Sequence, residues 1–286
     1  MAVANSNIEW TDSTWSPVTG CTKVSPGCDN CYAEGIARRF AGSKAFPNGF
    51  DVTLHPKRLD QPLKWRKPRR IFVNSMSDLF HDQVPDRFIA EVFNRMGAAP
   101  RHTFQVLTKR HGRMRSLLKR WSEHAEKGCH CPPDQGGCSA PVDVQHGVWP
   151  LPNVWLGVSV ENQQWADIRI PALLETPAVV RWISAEPLLG PIDLAEWLGP
   201  RCRASRAQAD RPFLDWVVTG GESGPGARPM HPDWPRSLRD QCQEAGVPFF
   251  MKQAGTVLAK EWGCSDRKGH DPAEWPETFP REYANA

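Results

Sequence analysis

Three cysteines lie within eleven residues in the segment GCTKVSPGCDNCYAE, as Cys21, Cys28 and Cys31 with the spacing C-x6-C-x2-C. Thiolates are soft ligands, and three on one loop can hold a single soft metal centre. A structural zinc ion takes four protein ligands, and no histidine lies near these three in sequence. A [4Fe–4S] cluster is usually held by four cysteines, so three leave one iron open to a substrate or cofactor. The turn at Pro26 and the pair Gly27–Cys28 suit a loop wrapped around such a cluster. Zinc with a distant fourth ligand, or thiols without metal, are the competing readings.

A second group, GCHCPPDQGGCSAPVDVQH, holds Cys129, Cys131 and Cys138 with His130 and His146. Three cysteines and a histidine can close a tetrahedral zinc site that pins a loose insertion. Its C-x-C start is tighter than usual zinc spacing, so a second iron–sulfur cluster and metal-free thiols stay open. Cys202, Cys242 and Cys264 are scattered. Nine cysteines is an odd number, and the N-terminus MAVANSNIEW has neither a basic region nor an apolar core. Both point to a cytoplasmic, reducing setting in which clustered thiols bind metal rather than form disulfides.

The elements that must position these groups alternate. Apolar runs recur at 14–18, 70–74, 103–107, 153–160, 179–184, 214–220 and 247–252, with helical stretches between them. Asp29 and Asn30 could cap the helix that follows Cys31, DRFIAEVFNRM starts a helix after Pro85, and HPDWPRSLRDQCQEAG ends one on Gly246. Nearly continuous apolar strands separated by helices predict an α/β fold with a parallel sheet covered on both faces. The sheet is open and doubly wound, or closed into a full or partial (β/α) barrel. The segments 41–69, 124–152 and 199–212 break the rhythm, and 124–152 is a Cys-rich insertion. The predicted division is a barrel over residues 1–258, including that insertion, and a C-terminal tail over 259–286.

In parallel α/β folds functional groups gather at the carboxyl ends of the strands. Those ends supply Asn74, Ser75, Ser77 and Asp78, then Lys109 and Arg110, Ser159 and Glu161, Ser184 and Glu186, Gly220, Gly221 and Glu222, and finally Lys252 and Gln253. The net charge of +3 is too mild for a purely electrostatic binder. Two stretches, 55–70 and 107–120, are nevertheless strongly basic. Lys109, Arg110, Arg113 and Arg115 follow a strand end and are the candidates for a phosphate-bearing substrate. No apolar run is long enough to cross a membrane. The usage of 13 Trp against 2 Tyr carries no functional message.

The cysteine loop resembles that of the radical S-adenosylmethionine (SAM) superfamily, with three more residues before Cys28 than its commonest spacing. The chain at large resembles the phage Gp37/Gp68 family of radical-SAM-like proteins, through WSPVTGCTKVSPGCDNCYAE, RRIFVNSMSDLFHDQVP, VLTKR, VWLGVSVENQ, WISAEPLLGPI, TGGESGPGARPM and PFFMKQ. The resemblance implies a (β/α) barrel of the radical SAM type, with Cys21, Cys28 and Cys31 on a [4Fe–4S] cluster whose open iron binds SAM. Reductive cleavage of SAM would then yield a 5′-deoxyadenosyl radical, with electrons from a flavodoxin or ferredoxin. It places Asn74, Ser75, Ser77 or Asp78 at the SAM amino group and Ser159 and Glu161 at the ribose; Ser184 and Glu186, from the fifth strand end, are further cofactor-binding candidates. The superfamily's Gly-Gly-Glu tripeptide follows the second strand, whereas here Gly220–Gly221–Glu222 follows the sixth run, so Glu222 is assigned to the substrate side. Cys264 is a candidate hydrogen donor. With the basic stretches, the resemblance implies repair or modification of a nucleic-acid base, spore photoproduct lyase being the analogue. The alternatives are a radical SAM enzyme acting on a metabolite or peptide, and a non-catalytic zinc- or iron-binding partner of DNA or protein.

Overall fold

Seven apolar runs and the helices between them fold as a parallel α/β sheet. The structure, a computed structural model, describes residues 6, 8–127, 140–141, 148–201, 205, 209 and 211–284. The expected second metal group, Cys129, Cys131, Cys138, His130 and His146, lies outside the described residues.

In chain order the strands are β1 (Ser13–Trp15), β2 (Val18–Thr19), β3 (Thr53–Leu54), β4 (Arg70–Val73), β5 (Thr103–Thr108), β6 (Val154–Ser159), β7 (Val180–Ala185), β8 (Trp216–Gly220) and β9 (Phe249–Gln253). The helices are α1 (Tyr32–Arg39), α2 (Asp86–Gly97), α3 (His111–Lys127), α4 (Gln163–Leu174), α5 (Ala195–Leu198), α6 (Asp233–Ala245) and α7 (Thr256–Glu261). The sheet order is β1-β4-β5-β6-β7-β8-β9. Pairing is parallel between β1 and β4, β4 and β5, β7 and β8, and β8 and β9. The order is linear, with β1 and β9 at its ends, so the partial form of the expected fold is the one found. Strands β6 and β8 are buried along their whole length, as a sheet covered on both faces requires. The sequence pattern missed the antiparallel pair β2–β3, because two-residue strands leave no periodicity to read.

The helices form where their patterns place them. On α2, Phe88, Ile89, Val92, Phe93 and Met96 are buried, a stripe of helical period. Helix α6 ends at Gly246, whose left-handed φ of 67° lets its N–H turn back to the Cys242 and Gln243 carbonyls.

The chain divides into two units, 1–22 with 33–156 and 175–179, and 23–32 with 157–174 and 180–286. In the first, Trp15 packs near Phe104 at 5.8 Å and Phe93 meets Trp121 edge-on at 5.2 Å. In the second, Trp182 and Trp216 lie 5.2 Å apart, and Trp216 donates its Nε1–H to the Glu282 carbonyl of the tail. Tryptophan is therefore a core residue here: Trp15, Trp121, Trp182 and Trp216 are fully buried.

Gly157 of β6 makes room for one of these rings, since a Cβ there would sit 2.5 Å from the Trp182 indole. Gly157→Ala must push the ring off its place, and overpacking of this kind costs about 1–3 kcal/mol. Urea unfolding of the variant is expected to show that loss.

Candidate functional site

The cysteine loop runs from the end of β2 into α1, and the division into units falls within it, between Thr22 and Lys23. Cys21, Cys28 and Cys31 are half-buried thiols, none of them in a disulfide. Among the described residues, no group of three or more His, Cys, Asp or Glu side chains is gathered as metal ligands. The fit of the loop to a metal therefore rests on its donor chemistry: three soft, half-buried thiols within eleven residues of sequence.

In the first unit, Cys21 donates its N–H to Phe50 O at 3.2 Å. The hydroxyl of the next residue, Thr22, is met by Arg110 Nη2 at 2.7 Å and by His81 Nε2 at 2.9 Å. Gln83 donates its N–H to His81 Nδ1, so the ring proton is on Nε2 and the imidazole is neutral. Burial lowers the His81 pKa, the Arg110 charge lowers it further, and Asp82 and Asp78 oppose this only in part.

In the second unit, two buried glutamates reach the loop from strand ends. Glu161 follows β6 and is fully buried. It accepts the Ser25 hydroxyl at 2.6 Å and Arg169 Nη1 at 3.0 Å. Gly27 lies against the same carboxylate, and a Cβ there would stand 2.3 Å from Oε1. Glu222 follows β8. Its Oε2 accepts Asn30 Nδ2 at 2.9 Å, the Arg228 N–H at 2.8 Å and Arg228 Nε at 3.0 Å, and its Oε1 accepts Arg228 Nη2 at 2.6 Å. Arg228 also donates to Pro26 O at 2.8 Å and pairs with Asp29 at 3.4 Å. Burial pushes the Glu222 carboxyl up, but the Arg228 and Asn30 hydrogen bonds outweigh it and hold the group below its usual range. Asp29 and Asn30, expected as helix caps, thus spend side-chain groups on Arg228 and Glu222.

The other expected residues fall as follows. Asn74, at the end of β4, is buried with a left-handed φ of 60°. Its Oδ1 accepts the Val18 N–H at 3.2 Å, while its buried Nδ2 has no partner among the described residues. Ser75 follows it, half-buried, and Ser77 donates its hydroxyl to Val18 O at 2.9 Å. Asp78 accepts Thr108 Oγ1 at 2.7 Å and the N–H groups of Phe80 and Lys109 at 3.0 Å each, so it ties the β4 and β5 ends together. The Ser159 carbonyl accepts Arg169 Nη1 at 2.7 Å, and the Ser184 carbonyl accepts the Val160 N–H at 2.9 Å. Glu186 pairs with Lys252 at 2.5 Å across the ends of β7 and β9. Cys264 lies beyond α7, where burial, with Glu274 and Asp266 nearby, raises its thiol pKa and keeps it protonated.

The four basic candidates do not form one open patch. Arg110 reaches Thr22 and Asp82, and its side chain is only 10% exposed. Arg113 donates to His81 O, to Val84 O and to Asp86. Arg115 pairs with Glu175 at 3.2 Å, and Lys109 is half-buried. Sequence reasoning missed Ser25, Thr22, His81, Arg169 and Arg228 as parts of this site. Only Arg169 left a signal, an arginine between Ile168 and Ile170 inside a helix, where a buried cation demands a carboxylate.

The family described as "Protein of unknown function (DUF5131)" matches residues 5–275. The chain belongs to this family. A comparison with curated proteins finds no match. Among solved structures, a cysteine-to-alanine mutant of spore photoproduct lyase with dinucleoside spore photoproduct matches at a TM-score of 0.50 and 11% identity, over 87% of this chain and 79% of that one. A cysteine-to-serine mutant of the same enzyme matches at a TM-score of 0.49 and 12% identity, over 88% and 79%. The first of these matches shows the fold: this member of the DUF5131 family has the fold of spore photoproduct lyase. Among the described residues, no helix is long and apolar enough to cross a membrane.

Removing one partner of a fully buried ion pair strands the other, at a cost of about 3–5 kcal/mol. Arg169→Met is expected to lose that much in urea unfolding, and adding Glu161→Gln should recover part of it. For His81 the folded state prefers the neutral ring, because its pKa lies below the reference value of 6.5. Its contribution is full above that value and is lost as pH falls from there through the lowered pKa. Stability should therefore fall as pH is lowered below about 6.5, and His81→Gln should flatten the fall.

Proposed function

We propose that the chain is a radical SAM enzyme in which Cys21, Cys28 and Cys31 hold a [4Fe–4S] cluster. The observation that carries this is a three-thiol loop at the C-terminal side of β1 and β2, in a chain with the fold of spore photoproduct lyase. Such a cluster, with SAM on its open iron and an electron from a flavodoxin- or ferredoxin-type donor, supplies reductive cleavage of SAM to methionine and a 5′-deoxyadenosyl radical. This chain's residues orient the cofactor and exclude competing reactions. Asn74 offers a buried amide donor at the end of β4 that suits a carboxylate oxygen better than an ammonium group. Ser75, Ser184 and Glu186 are further contacts at strand ends. The kinship with phage Gp37/Gp68 proteins and a zinc site on Cys129, Cys131, Cys138 and His146 belong to the same reading.

The substrate we favour is a damaged or modified nucleic-acid base. The related fold was solved with a dinucleoside spore photoproduct, which supports this choice. The engagement of Arg110 and Arg113 within the protein favours a second reading, a metabolite or peptide substrate.

Anaerobic reconstitution tests the proposal. The wild-type chain should take up iron, develop iron–sulfur absorption and cleave SAM to methionine and 5′-deoxyadenosine under dithionite. The triple variant C21A/C28A/C31A should lose that iron while keeping its unfolding midpoint. A colourless wild-type protein inert to SAM would leave a non-catalytic scaffold. If DNA is the substrate, ultraviolet-irradiated duplex should bind more tightly than intact duplex, because a poorly stacked lesion costs less to extrude. Neutralising Lys109 and Arg115 together should lower the salt slope of binding by about two units, near 0.9 per phosphate contact. Salt-independent binding, equal for both DNAs, would move the substrate to the second reading.

A further inference from the structure

Glu222 stands in a tripeptide that invites a substrate-binding role, yet its geometry leaves little for a substrate to use. Four donors converge on its two oxygens, about the full acceptor capacity of a carboxylate. The residue is only 6% exposed. Its place is fixed by backbone contact, because a Cβ on Gly221 would lie 2.1 Å from Ala254 O, so only glycine fits where the chain leaves β8. Every donor belongs either to Asn30, between Cys28 and Cys31, or to Arg228, which itself grips Pro26 and Asp29 of the same loop.

We infer that Glu222 is a positioning residue of the cysteine loop, acting through Arg228 and Asn30 to set the backbone that presents Cys28 and Cys31. The inference deepens the cluster reading and rests on it only for the metal. Outside that network, residues 26–30 are held by a short turn, with Cys28 N–H to Ser25 O and Asp29 N–H to Pro26 O, by Lys23 Nζ to Asp29 O at 3.2 Å, by Asn30 Nδ2 to Gly226 O at 3.0 Å and by the packing of Gly27 on Glu161. The turn is local and the Lys23 and Gly226 contacts join exposed residues, so the Glu222 network is what ties Asn30, Asp29 and Pro26 to a buried charge and bears most on whether the two thiols keep one geometry. Glu161 serves the upstream end of the loop in the same way, through Ser25.

The test uses the full-length chain. In chelator-treated protein, trypsin cleavage at Lys23–Val24 reports opening of the loop, and cleavage at exposed Lys44–Ala45 is the control. Glu222→Ala, Arg228→Ala and Asn30→Ala should each speed the first cut by about tenfold, since each loses hydrogen bonds involving a charged group, and leave the second unchanged. Arg228→Lys, which keeps the charge but loses the fork, should fall between wild type and Arg228→Ala. After reconstitution the three alanine variants should hold less iron and show an altered electron paramagnetic resonance spectrum of the reduced cluster, with Arg228→Lys partly restored. If Glu222→Ala does not fold, Asn30→Ala decides, because it removes one side chain from the exposed loop. Unchanged cleavage at Lys23–Val24 in all three, or an equal rise at both sites, overturns the inference. Faster loop cleavage in the variants with no iron in the wild type would keep the positioning role and overturn the cluster. Iron in the wild type with unchanged loop cleavage would do the reverse.

Discussion

A carboxylate taken out of water must be paired, and two such carboxylates organise the cysteine loop of this protein. Glu161 and Arg169 are both fully buried, so neither can lose the other without leaving a charge stranded. The Glu161 oxygen that remains is spent on Ser25, at the start of the turn that carries Cys28. The requirement to satisfy a buried charge thus becomes a constraint on loop geometry. Glu222 repeats the arrangement at the next strand but one, with Arg228 half in solvent as the bridge.

This arrangement gives the strand ends a different division of labour from the one their sequence suggests. The polar residues after β4, β6 and β8 read as a ring of groups facing a cofactor and a substrate. Asp78, Glu161 and Glu222 instead turn toward backbone amides, hydroxyls and guanidinium groups of the protein. Through these bonds they hold the loops that follow β4 and β5 and the cysteine loop in place. Asn74 differs, with a left-handed φ of 60° and a buried amide nitrogen that has no partner among the described residues.

The basic stretch after β5 is divided in the same way. Arg110 and Arg113 work inside the protein, on Thr22 and on the His81–Asp86 segment, and the neutral tautomer of His81 completes that contact. A run of arginines is therefore a poor guide to a phosphate surface, because the guanidinium fork serves carbonyls and carboxylates of the fold equally well. The same holds for tryptophan, whose abundance reflects the filling of the core around Trp15, Trp182 and Trp216.

By itself the sequence determined the seven strands, the helices α2 and α6 with the glycine that ends the latter, the α/β class, and the three thiols on one loop. Each of these is a local pattern: an apolar run, a period of 3.6, a left-handed glycine, a cysteine spacing. The paired two-residue strands β2 and β3 were invisible because they are too short to show a period. The partners of the loop were invisible for another reason. Ser25 and Glu161 are 136 residues apart, and Asn30 and Glu222 are 192 apart. Only the tertiary structure decides such pairs, since burial removes the water that would otherwise satisfy each group and leaves a distant residue as its partner. A strand-end glutamate reads the same in sequence whether it faces a ligand or the protein, and the fold alone settles which donors surround it.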